Sequence, residues 1–349
     1  MGLPLSIENL SDRERKVLEA IVQSYVETAE PVGSRMLTRR FGLGVSAATI
    51  RNAMSDLEDK GFLSHPHTSA GRVPTDRAYR MYVDAMMGQA TVTRQERAAL
   101  RDGLASQGSA VTEVLRRAAE MLGVLTQELG VAVAPSLDGV VLERLDLVAI
   151  SSERLLLVLT LKSGVVRTIF VQVPGTVPPD AIVSITLVLN DRLAGLTLRE
   201  IRHTLGERLR DTGSTPAEAE LLDIFLATGD QIFDLPVGAD DVVVGRTSVL
   251  ADQPEFASGE KMRSLMALTE QRDVLQRVLG QRANTNCLTI TIGGENETQQ
   301  LANLTLVTSP YQAGPLTGVI GVLGPTRMPY EKVVAIVEHT SKMVGDLLR

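Results

Sequence analysis

Helix starts and stops crowd the first eighty residues, and no other feature limits the fold of this chain as tightly. Ser11 and Glu14 make a capping box, S-x-x-E, after which Leu18, Ile21, Val22 and Tyr25 recur at helical spacing. That helix ends near Ala29, ahead of Pro31. Ser34 is the predicted N-cap of a shorter helix with Leu37 and Phe41 on one face and Gly42 as its stop. Ser46 caps a third, "AATIRNAMSDLEDK", which Gly61 closes and whose inner face carries Ile50, Met54 and Leu57. Punctuation this dense excludes one long helix and excludes a sheet. It specifies a compact cluster of three helices, with the tight turn "FGLGVS" between the second and third.

The next stretch, "HPHTSAGRVPTDRAY", has prolines, a glycine and arginines but little that packs a core. Phe62-Leu63 can enter a hairpin, Ser69-Ala70-Gly71 can turn it, and Arg72-Val73 can return it. A further helix then begins at Thr75 or Asp76, with Tyr79, Tyr82 and Val83 at apolar spacing. Three helices followed by a β-ribbon is the order of a winged helix-turn-helix. At about 100° per residue, the face of the third helix opposite Ile50 carries Ala48, Asn52 and Ser55, flanked by Thr49 and Arg51. Asp56, Glu58 and Asp59 come later, so the first two turns offer short hydrogen-bonding groups and a cation. That suits a helix entering a major groove by its N-terminal half.

Net charge is −7, yet it is unevenly spread. Residues 31–80 hold eight Lys/Arg against four Asp/Glu, whereas residues 81–349 hold 24 against 32. A basic segment on an acidic body can still meet phosphate, because the local field governs contact. Other chemistries find little support. No apolar run approaches the roughly 20 residues of a membrane span, and the N-terminus lacks a secretory signal's basic and apolar regions. "MGLPLS" fits the short myristoylation pattern with nothing else to accompany it. One cysteine, Cys287, excludes an internal disulfide and fits a cytoplasmic setting. His65 and His67 have no third ligand near them for a metal. "GLGVSA" matches G-x-G-x-x-A but follows an arginine-rich helix where a dinucleotide site needs an apolar strand. P-loop and G-x-S-x-G motifs are absent. No cofactor, no metal and no enzyme activity is expected.

Residues 81–130 read as helical, and from Val131 the texture turns to strands: "VLERLDLVAIS", "LLLVLTL" and "VVRTIFVQV". Helical patterns follow over 180–192, 197–210 and 216–233, then a strand "DVVVGRTSVL" and one long helix from Lys261 to Leu279. Strands "CLTITIG" and "TGVIGVLG" and a final helix from Tyr330 to Leu348 complete an α+β chain, its sheet halves separated by a mainly helical block.

Several segments together resemble the bacterial heat-inducible transcription repressors of the HrcA family. They are "LSDRERKVLEAIVQSYVETAEPVGSRML", "VSAATIRNAMSDLEDKGFLSHPHTSAGRVPTDRAYRMYVD", "DQPEF", "IGGEN" and "IGVLGPTRMPYEKVVAIVE". The resemblance runs from about Leu10 to the C-terminus and departs at Gly245-Arg246, where relatives carry a second glycine. It implies a winged-helix DNA-binding domain over 1–85 and a helical linker over 86–108. It further implies a GAF-like α/β domain over 109–175 and 285–349, interrupted by a mainly helical dimerisation domain over 176–284. The function it implies is repression, as a homodimer on double-stranded DNA, of chaperone operons carrying an inverted-repeat operator, relieved by heat, with a chaperonin as modulator and no membrane partner. On this reading Ser46, Thr49, Arg51, Asn52 and Ser55 face base edges and nearby phosphates. Arg39, Arg40, Arg72 and Arg77 neutralise phosphates, and His67, Thr68 and Ser69 line the tip of the ribbon. A regulator that senses a small ligand through the GAF-like domain is the alternative; its abundant Val and Leu point instead to a filled core.

Overall fold

The computed structural model describes residues 10–66, 71–104, 111–136, 139–162, 164, 166–210, 215–233, 242–251, 253–283, 285, 287–314 and 316–348. Helices α1 (Asp12–Thr28), α2 (Ser34–Phe41) and α3 (Ala47–Asp59) lead into an antiparallel ribbon of β1 (Leu63–Ser64) and β2 (Val73–Pro74). Then come α4 (Asp76–Ala85), α5 (Arg94–Leu104), α6 (Val111–Thr126), β3 (Leu129–Ser136), β4 (Leu142–Ser151), β5 (Arg154–Leu161) and β6 (Val166–Gln172). Next are α7 (Pro179–Leu193), α8 (Leu198–Arg208), α9 (Pro216–Phe233), β7 (Val242–Val244), α10 (Gly259–Glu270) and α11 (Arg272–Arg282). The chain closes with β8 (Thr289–Ile292), β9 (Leu304–Ala313), β10 (Leu316–Pro325) and α12 (Tyr330–Leu347). Helix and sheet are thus mixed, and no described helix is long and apolar enough to cross a membrane.

Two compact units result. The first comprises 1–133, 242–311 and 319–344, and the second 134–241 with 312–318 and 345–349. In the first, a five-stranded sheet runs β7-β3-β10-β9-β8. Leu115, Ala118, Ala119 and Leu122 of α6 and Val333, Ile336 and Val337 of α12 are buried in this unit. Gly130 shows how closely β3 approaches α6: a Cβ there would sit 1.9 Å from the Ala119 carbonyl oxygen. The second unit stacks β4-β5-β6 on α7, α8 and α9 through one leucine-rich face, including Leu145, Leu155, Leu157 and Leu159. Asn190 of α7 ties itself to β4 by donating to the Leu145 carbonyl at 2.6 Å and accepting from its amide at 2.9 Å.

The helix starts follow sequence closely. Ser11, Ser46 and Thr75 each accept from a backbone N–H at N3, and Ser11 completes its capping box with Glu14. Burial alone would raise the Glu14 carboxyl, but hydrogen bonds from Lys60 and Ser11 hold it below the usual carboxylate range. Ser34 differs from expectation. It lies inside α2, and extended Gly33 stands at the cap with no side-chain bond, so the helix starts one residue earlier than a serine cap would place it. The strand expected over 241–250 is only Val242–Val244. Gly245 donates to the Gly130 carbonyl at 2.8 Å, and the chain then turns into a 3₁₀ segment, Thr247–Leu250. The long helix expected from Lys261 breaks at Gln271, whose ψ of 67° leaves the helical well and whose side chain accepts from Gln300 at 2.9 Å. β9 was not anticipated. Its residues are buried on both faces over most of its length, so it lacks the period-two alternation that marks a half-exposed strand.

Close packing at Gly130 makes a direct prediction. Gly130→Ala should lower unfolding free energy by about 1–3 kcal/mol, the usual cost of overpacking, since backbone must give way. Gly280→Ala, in α11 with open space around it, should be neutral or stabilise by about 0.5–1 kcal/mol. Urea unfolding of both variants checks this, and equal midpoints would contradict the packing.

Candidate nucleic-acid interface

α1, α2 and α3 bury Leu18, Ile21, Leu37, Ile50 and Leu57 against one another, which fixes the faces of α3. Ile50, Ala53, Met54 and Leu57 point inward, and Ala48, Arg51, Asn52 and Ser55 are exposed. Thr49 is half-buried. Ser46 is exposed but occupied: its hydroxyl accepts from the Thr49 amide at 3.1 Å and lies 2.9 Å from the Thr49 hydroxyl. The helix ends in a Schellman arrangement, with Gly61 N–H donating to the Glu58 carbonyl and Phe62 N–H to that of Leu57. Gly61 has φ +77°, a left-handed conformation that glycine enters without cost.

The ribbon is pinned back onto α3. Glu58 holds both of its stalks, one carboxylate oxygen 2.7 Å from the Arg72 guanidinium and the other 2.5 Å from the His65 ring Nδ1. Val32, fully buried, exchanges both backbone hydrogen bonds with Arg72 at 2.8 and 2.9 Å and adds a third line of chain to the ribbon. Gly71 serves this junction. A Cβ there would meet the Val32 carbonyl oxygen at 2.4 Å, so close backbone approach, in place of the turn itself, demands glycine.

The sequence-nominated cations now separate. Arg39 and Arg51 are exposed and, among the described residues, make no ion pair. Arg40 pairs with Glu27 and lies over the Phe41 ring at 5.5 Å. Arg72 is only 19 % exposed and is engaged by Glu58. Arg77 donates to the Lys60 carbonyl at 2.9 Å and stacks on Phe62 at 4.6 Å, closing the C-terminal end of α3. His67, Thr68 and Ser69 lie outside the described residues. His65 meets Glu58. Among the described residues no group of three or more His, Cys, Asp or Glu is placed to hold a metal.

Sequence reasoning missed Glu58 and Val32. Glu58 reads as one of three acids on a solvated helix end, and nothing local shows that the ribbon returns to it. Val32 did carry a signal: a β-branched residue between Pro31 and Gly33 favours extended chain over helix. The module is also anchored within its own unit. Arg80 of α4 grips Glu295 bidentately at 2.8 and 2.5 Å and donates to the Ile290 carbonyl, while Gly294 N–H donates to Asp76 at 3.0 Å. Arg327 pairs with Glu255 at 2.6 and 2.9 Å and donates to the Val26 carbonyl of α1 at 2.7 Å. These contacts give "IGGEN" and "DQPEF" a structural meaning as receiving turns.

Residues 112–334 match the family model described as HrcA protein C terminal domain. The heat-inducible transcription repressor HrcA of Chlorobium phaeobacteroides (strain BS1) is 39% identical over 354 residues, covering 99% of this chain and 100% of the relative. The protein of the same name from Geobacter sulfurreducens is 36% identical over 344 residues, covering 97% and 98%. A crystal structure of a protein described as hypothetical aligns with a TM-score of 0.58 and 23% identity, covering 97% of this chain and 99% of the other, a likeness of fold.

The Glu58 staple generates a prediction. Glu58→Gln should speed amide exchange in β1 and β2 while leaving α1 unchanged. In a double-mutant cycle with Arg72→Ala, the pair should show a coupling of about 0.5–1 kcal/mol in stability. Additive losses and unaltered exchange would remove the staple.

Proposed function

Since the chain belongs to the HrcA family of heat-inducible transcription repressors, and is on that footing a negative regulator of heat-shock genes, we propose that it represses chaperone operons by binding an inverted-repeat operator through α3. The reading rests above all on one observation: α3 presents Arg51, Asn52 and Ser55 to solvent on one face, while Glu58, toward its C-terminal end, is taken up by His65 and Arg72 of the ribbon. Residues 1–85 then act as a winged helix-turn-helix. α3 enters the major groove, where Asn52 suits adenine and Arg51 suits guanine, and Ser46, Thr49 and Ser55 reach neighbouring bases or phosphates. Arg39 contacts phosphate directly. Arg40, Arg72 and Arg77 do so only by exchanging their present partners, and His67, Thr68 and Ser69 form the tip that meets the adjacent backbone. The protein performs no chemistry and works in the cytoplasm.

A two-fold operator calls for a two-fold protein. We assign the remaining chain as a linker over 86–108, a GAF-like domain over 109–175 and 285–349, and a dimerisation domain over 176–284. The outer face of β4-β5-β6, in the segment before 176, offers a further apolar surface for self-association. Val148, Leu156 and Phe170 stand in one register row, and Ile150 and Val166 are exposed beside them. Heat relieves repression, and a chaperonin modulates it, as resemblance to the family implies. Near full-length similarity to repressors named for heat induction favours this reading over a ligand-sensing one.

Asn52→Ala should cost about 1–3 kcal/mol at one base position and relax specificity there. Arg39→Ala should weaken binding to all sequences alike and reduce the salt slope by about 1. Fluorescence anisotropy on operator and scrambled duplexes across a salt series separates the two. If both variants bind like the unchanged chain, α3 and α2 do not face the DNA.

A further inference from the structure

In the first unit, α5 and α12 border a shallow groove of about 280 Å³. Arg97 of α5 and His339 and Lys342 of α12 line it, together with Thr91 and the carboxylate of Glu338. Arg97 and Lys342 are exposed, His339 is half-buried, and among the described residues none of the three makes an ion pair. The nearest acid on α5, Glu96, is already engaged by its own N-cap, Thr93, and by Lys332 at 3.5 Å. Arg94 and Arg101 extend the cationic edge along α5, both exposed. Positive charge therefore gathers here, on a body whose residues past 80 are acidic in sum, with Glu338 the one carboxylate among the groove's lining residues.

The donors fit one ligand chemistry. A guanidinium offers a planar fork for two oxygens, an ammonium adds charge, and an imidazole and a hydroxyl add single hydrogen bonds. Burial, then Arg97 and Lys342, hold the His339 imidazole below its usual range. Val92 and Ala335 add small apolar groups to the lining. We propose that the groove between α5 and α12 is a phosphoryl-anion site, engaged by Arg97, Lys342, His339 and Thr91. The phosphoryl group belongs either to a free phosphate compound or to the backbone of bound DNA. The second source rests on the repressor reading, and the first does not.

The test uses the full chain and an Arg97→Gln/Lys342→Gln variant, whose changes lie at exposed positions. One arm compares melting midpoints in sodium phosphate and in sodium chloride at matched ionic strength. A free-anion site raises the midpoint of the unchanged chain by a few degrees more in phosphate than that of the variant. A second arm measures salt slopes on an operator duplex with long flanks and on one trimmed to the core. A backbone site lowers the variant's slope by about 2 on the long duplex only. Glu338→Gln removes the opposing carboxylate and should enlarge whichever response appears; it also keeps the test open if the double variant folds poorly. A response in the first arm alone assigns free phosphate, and one in the second alone assigns DNA. Identical behaviour of all three proteins in both arms overturns the site. If the unchanged chain binds no operator at all, the repressor reading fails while the first arm still decides the groove.

Discussion

The carboxylate of Glu58 decides how the N-terminal module presents itself. It sits at the end of α3 and takes His65 from one stalk of the ribbon and Arg72 from the other. A single partly exposed ion pair contributes little, typically about 0.2–1 kcal/mol. Here the pairs act together with buried Phe62 and Leu63, with the backbone exchange between Val32 and Arg72, and with a glycine that lets the two chains touch. The ribbon is thereby set at a fixed angle to α3. The same contacts occupy the Glu58 carboxylate, while Asp56 and Asp59 of α3 stay exposed.

α4 carries this geometry into the rest of its unit. Asp76 and Arg80, one turn apart, are received by the turn that begins at Gly293, where φ is +52° and a Cβ would collide with the Asp76 carboxylate. Arg327 reaches from the chain before α12 to the end of α1. Tyr79 and Tyr330 pack between these anchors with ring centroids 5.8 Å apart. Substitutions in "IGGEN" would therefore act on the N-terminal module through α4.

Much of this was legible in sequence because its causes are local. Capping residues at Ser11, Ser46 and Thr75, the stop at Gly61, and the inner and outer faces of α3 all depend on a few neighbours in the chain. The structure departs where distant residues decide. Gln271 breaks a helix through its own ψ and a partner at Gln300, β7 stops where Gly245 meets Gly130, and β9 hides its strand character by being buried on both sides. The candidate interface divides in the same way. Arg51 and Asn52 follow from helical periodicity, but the engagement of Arg72 by Glu58 spans a loop that periodicity does not address. The expected insertion over 176–284 and the second compact unit share residues 176–241; strands β4, β5 and β6 also belong to that unit, a grouping set by long-range packing with α7.

The central claim is that α3, paired across a two-fold axis, reads two half-sites of one operator. Hydroxyl-radical footprinting of the full chain on promoter DNA of chaperone operons tests it most directly. Two symmetric protected half-sites are expected on one face of the duplex, their centres about 10–10.5 bp or a multiple of that apart. Protection of one asymmetric patch, or protection that an α3 variant reproduces unchanged, would contradict it.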